Sequence, residues 1–66
     1  MGLDELRNKL QYLKNYMGIT YAYIGKRTEV TGTDISHFVG GRSLPEHKIN
    51  KLYNFIGGFM DGIKQR

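Results

Sequence analysis

Apolar positions recur at helical spacing along most of the chain. In the first segment Leu3, Leu6, Leu10, Leu13 and Met17 step by 3, 4, 3 and 4 residues, which lines one face of a helix. The opposite face carries Arg7, Lys9, Gln11, Lys14 and Asn15. Asp4 and Glu5 fall in the first turn, where carboxylates suit the helix dipole. Gly18 follows the last apolar residue in the position of a C-cap. A helix over 3–17 is predicted. Its leucine stripe is too short for a coiled coil and reads as a core face.

Thr20 can N-cap a second, short helix over 21–28. A third is predicted over 31–39. There Thr31-Gly32-Thr33-Asp34 has the form of a capping box, with Asp in place of Glu or Gln. Ile35, Phe38 and Val39 give it a buried face, and Gly40-Gly41 ends it. Ser43-Leu44-Pro45-Glu46 matches a second capping box, with Pro45 in a first helical turn. Beyond it Ile49, Leu52, Tyr53, Ile56, Phe59, Met60 and Ile63 keep helical spacing. Gly57, Gly58 and Gly62 interrupt that run, each at a cost of about 1 kcal/mol relative to Ala. The expectation is either one kinked helix or two helices broken near Gly57-Gly58. The fold class expected is all-α: a small four- to five-helix bundle in one domain over 1–66. Its centre is a helix-turn-helix at about 20–39, followed by a helical segment at about 45–65. The junction between two crossing helices needs a small residue, which Gly25 supplies, and apolar contacts, which Ile24, Val30, Ile35 and Phe38 supply.

Composition narrows the function classes. At 66 residues a chain buries only about 60% of the surface its unfolded form exposes, so efficient packing or a partner matters. Cysteine is absent, which excludes disulfides and thiolate zinc sites and fits a reducing, cytoplasmic setting. The formal charge of +4 suits a polyanionic partner, and equally the solubility of a small domain. No apolar run is long enough for a membrane span. The first residues have neither the basic nor the apolar region of a signal peptide, and Leu6 stands where an N-myristoylation motif needs Ser or Thr. Asp4 and Glu5 are neighbours on a helix and cannot face each other. No Ser-His-acid set is suggested, and no glycine-rich phosphate loop follows a strand. An enzyme is not expected, nor is a cofactor or small-molecule ligand. His37 and His47 are the only histidines, so no metal site is expected.

The stretch from Ile19 to Arg42 resembles the Xre/Cro-like helix-turn-helix family of phage-repressor type, without a gap. Ile19-Thr20 matches the start of that pattern, Ile24-Gly25 its packing pair, Val30-Thr31 its turn, Ile35-Ser36 the core of its recognition helix, and Gly40-Gly41-Arg42 its end. Three positions depart from it. Tyr21 replaces a glutamine that contacts phosphate, Glu29 a turn glycine with positive φ, and Thr28 a buried leucine.

The resemblance implies a lambda-repressor-like fold and a DNA-binding transcriptional regulator, in most such proteins a repressor. The setting implied is a bacterium, phage or mobile element, in the cytoplasm at the nucleoid. In that geometry the helix over 31–39 enters the major groove. Base contacts would come from Thr31, Gly32, Thr33, Ser36 and His37, with Gly32 allowing close approach. Phosphate contacts would come from Thr20, Tyr21, Lys26, Arg27, Gly41 and Arg42. The partner would be a palindromic operator in double-stranded DNA, bound by a homodimer joined through Ile56, Phe59, Met60 and Ile63. The alternative is a helix-turn-helix module that binds protein instead of DNA, a reading favoured by Glu29 and Asp34 beside the proposed face.

Overall fold

Among the described residues four helices make up the fold: α1 (Leu3–Met17), α2 (Tyr21–Thr28), α3 (Gly32–Val39) and α4 (Glu46–Lys64). The computed structural model describes residues 2–64, with side-chain surroundings through residue 58. Among the described residues there is no strand.

Helix α1 begins and ends where its leucine stripe does. Gly18 adopts the left-handed conformation and returns its amide to the Leu13 carbonyl, the expected glycine stop. Leu6, Leu10 and Leu13 are fully buried, whereas Leu3 and Met17 at the stripe's ends are exposed. Thr20 and Thr31 cap α2 and α3, their hydroxyls accepting from the amides of Tyr23 and Asp34 at 3.1 Å each. Helix α3 therefore starts at Gly32, with Thr31 as the cap outside it.

The α2–α3 junction depends on two glycines. A Cβ on Gly25 would lie 2.8 Å from the Val30 carbonyl oxygen and 3.1 Å from the Gly32 nitrogen. A Cβ on Gly32 would lie 3.2 Å from the Ala22 nitrogen. Both neighbours are backbone, so the helices meet this closely only because neither glycine has a side chain. Between them Glu29 takes φ 64°, the left-handed conformation that its position in the turn demands. Thr28, buried where the resembled pattern has a leucine, is satisfied locally. Its hydroxyl donates to the Ile24 carbonyl at 2.7 Å and accepts from the Val30 amide at 3.3 Å.

Helix α4 runs unbroken through Gly57 and Gly58, so the single long helix is realised. Adding residues to an existing helix is inexpensive next to nucleating a new one. Its first bonds come from the Lys48 and Ile49 amides to the Pro45 carbonyl; the helix thus starts later than a cap at Ser43 would place it. Leu52 and Ile56 join Leu6, Leu10, Leu13, Ile24, Val30, Ile35 and Phe38 in one core. No described helix is long and apolar enough to cross a membrane.

Candidate nucleic-acid interface

At 3.6 residues per turn, burying Ile35 and Phe38 leaves one arc of α3 facing outward. Thr33, Ser36 and His37 occupy it, all exposed. The two flanks of that arc are taken by neighbouring helices. Gly32, half-buried, faces Ala22 of α2. It is thus a packing position between helices and leaves the outward group expected from the sequence. On the other flank Asp34 faces α4, where Lys48 Nζ donates to its carboxylate at 2.9 Å. That hydrogen bond holds the Asp34 carboxyl below its usual pKa, assisted by the Lys48 charge against some loss of hydration. Thr31 is exposed, with its hydroxyl engaged as the cap of α3.

The expected backbone-contact residues divide. Thr20, exposed, caps α2. Tyr21, half-buried at the start of α2, carries the Lys14 ammonium 4.7 Å from its ring centroid, and burial pushes its hydroxyl pKa up. Lys26 is exposed. Gly41 and Arg42 are exposed immediately after α3. There the Gly41 and Arg42 amides return to the carbonyls of Phe38 and His37 at 3.0 and 2.9 Å. Arg27 belongs elsewhere. It lies two residues from Gly25, hence on nearly the opposite side of α2, and lines an open cleft with Glu29, Lys51, Asn54 and Phe55. Its guanidinium carbon lies 5.6 Å from the Tyr23 ring centroid. The structure therefore separates Arg27 from the outward arc of α3.

Comparison of the chain with family models, curated proteins and solved structures finds no match.

Of the four residues expected to join two copies, Ile56 is fully buried in the chain's own core and has no surface to offer a partner. The side chains of Phe59, Met60 and Ile63 lie outside the described residues.

Two residues that matter to the geometry of α3 were not singled out from the sequence. Lys48 holds Asp34 from a different helix. Arg7, assigned to the solvated face of α1, is turned inward with its side chain only 20% exposed. Its Nε donates to the Phe38 carbonyl at 2.7 Å and its Nη2 to the Arg42 carbonyl at 3.3 Å. The one local signal for Arg7 is its place beside Leu6, at the border of the apolar stripe.

Proposed function

We propose that the chain binds double-stranded DNA sequence-specifically, as a transcriptional regulator of repressor type, with α3 set into the major groove. The observation that carries this reading is the chemistry of the outward arc. Thr33, Ser36 and His37 are exposed together, while the carboxylate of Asp34 on their flank is engaged by Lys48 of α4 at 2.9 Å and Glu29 lies in the cleft lined by Arg27 and Lys51. The face that would meet polyanionic DNA thus presents hydroxyls and an imidazole rather than bare carboxylates. Hydroxyls give and accept hydrogen bonds at several base edges. Arg42, Gly41, Thr20, Tyr21 and Lys26 around it suit phosphates, which position the protein without reading sequence. The arc has no Arg, Asn or Gln, so direct discrimination between bases is modest and DNA shape contributes.

The same reading makes the partner a palindromic operator and the active species a homodimer, since paired half-sites about one helical turn apart need two copies of the reading helix. The part of α4 beyond Ile56 is the proposed contact. Selection of sites from random duplex DNA at two salt concentrations tests the function. An enriched motif is expected, with log K falling against log salt by about 0.9 for each phosphate contacted. A folded chain that retains no duplex at low salt would refute it. That result would favour the second reading, a protein-binding module. The observation behind this alternative is the exposed Tyr12–Tyr16 pair on α1, whose ring centroids are 5.2 Å apart.

A further inference from the structure

We propose that Arg7 of α1 is the positioning residue of the proposed DNA-binding face: it holds the carboxyl end of α3 and the backbone of Arg42 in place while contacting no DNA itself. This rests on the reading of α3 as the DNA-facing helix.

The last carbonyls of any helix lack intrahelical partners. In α3, Ser36 and His37 are served from the turn that follows, by the amides of Gly40 and Arg42 at 3.0 and 2.9 Å. The Phe38 carbonyl accepts from the Gly41 amide at 3.0 Å and also from Arg7 Nε at 2.7 Å. Arg7 Nη2 donates in addition to the carbonyl of Arg42, 35 residues away in sequence. A single guanidinium therefore ties the end of α3 to the residue proposed to contact phosphate.

The fork is itself held in place. Its carbon lies 4.5 Å from the centroid of the Phe38 ring, and Phe38 is fully buried. Nη1 donates to Asp4 at 3.2 Å. Three of the five guanidinium N–H groups thus have an acceptor within the protein, one on each nitrogen, and the side chain is only 20% exposed. A lysine could not replace this arrangement, because an ammonium is a point charge without the planar fork.

The test compares Arg7→Lys, Arg7→Met and Arg42→Ala by amide hydrogen exchange and by DNA binding across a salt series. In both Arg7 variants the Gly41 and Arg42 amides should exchange about tenfold faster or more, because the charge-assisted hydrogen bonds to the Phe38 and Arg42 carbonyls are both lost. The amides of Leu10 and Ile24 should be unchanged. DNA affinity should fall by about the same factor, and the preference for the selected site over random duplex should narrow. The salt slope should stay at its wild-type value, whereas Arg42→Ala flattens it by about one unit. A flattened slope in the Arg7 variants would make Arg7 a phosphate contact and overturn the proposal. So would a folded variant with wild-type exchange at Gly41 and Arg42. Should Arg7→Met fail to fold, Arg7→Lys decides on the same readouts. If the wild type binds no duplex, the DNA role falls together with the proposed function, and hydrogen exchange alone still judges the positioning of α3.

Discussion

Glu29 in the α2–α3 turn and Gly25 in α2 answer opposite demands of the backbone. Glu29 sits at φ 64°, a conformation that costs an L-residue about 1–2 kcal/mol. Its contact with Lys51 at 3.4 Å is solvent-exposed and contributes ~0–1 kcal/mol. Glu29→Gly is therefore expected to stabilise the fold by about 0.5–1 kcal/mol, once glycine's own entropy is counted. Urea unfolding measures this, and a less stable variant would show that the Lys51 pair outweighs the backbone strain. Gly25 is the converse case. Its added Cβ would press on the backbone of Val30 and Gly32 at 2.8 and 3.1 Å, which neither can yield without parting the helices. Gly25→Ala should cost about 1–3 kcal/mol, read as a lower urea midpoint.

At the scale of the element, α3 divides its labour between an outward arc and its two ends. Alanine at Thr33, Ser36 or His37 is expected to change which sequence is preferred. Alanine at Arg42 should weaken all sequences alike, with a salt slope flatter by about one unit. A change of preferred base in Arg42→Ala would mean that α3 docks in another orientation. The amino end of α3 is tied to α4 through Asp34 and Lys48, with a pH signature. Because the folded-state pKa of Asp34 is lowered, its contribution to stability is fully present above the ordinary carboxylate range. It is lost as the pH falls through the folded value. Asp34→Asn should therefore remove part of the acid-side loss of stability and leave the rest of the pH profile parallel, as thermal melts from neutral to acid pH would show. A profile identical to wild type would mean that the pair contributes nothing measurable.

For the whole molecule the open question is what the end of α4 serves. A Cβ on Gly57 or Gly58 meets nothing within 4 Å, so packing within the chain gives neither glycine a reason. Alanine at each should stabilise the single chain by up to about 1 kcal/mol. The homodimer is judged by sedimentation at micromolar concentration, where wild type should be dimeric and Phe59→Asp monomeric with weakened DNA binding. A monomeric wild type, or a dimeric Phe59→Asp that keeps its affinity, would remove the contact at the end of α4. Gly58→Ala adds a second check. If Gly58 lies against the other copy, the substitution should strengthen the helix and yet loosen the dimer.

Local physics made much of the fold legible in the chain itself. The limits of α1 and α2 follow from the leucine stripe, from Thr20 as a cap and from Gly18 as a stop, each an effect confined to a few neighbouring residues. The need for a small residue at Gly25 was likewise readable from the close crossing of two helices, whereas the positive φ at Glu29 was implied only by the resemblance, whose turn has a glycine there. The outward placement of Thr33, Ser36 and His37 follows from which residues of α3 are apolar. What lay beyond reach depends on how the helices cross. Gly32 faces α2, Arg27 faces the α4 side, and Ile56 lies in the core, because the crossing places a neighbouring helix there. Arg7 finds its acceptors 31 and 35 residues away, at carbonyls every residue type carries. No side-chain pattern in the sequence marks such a partner, so only the tertiary structure decides it.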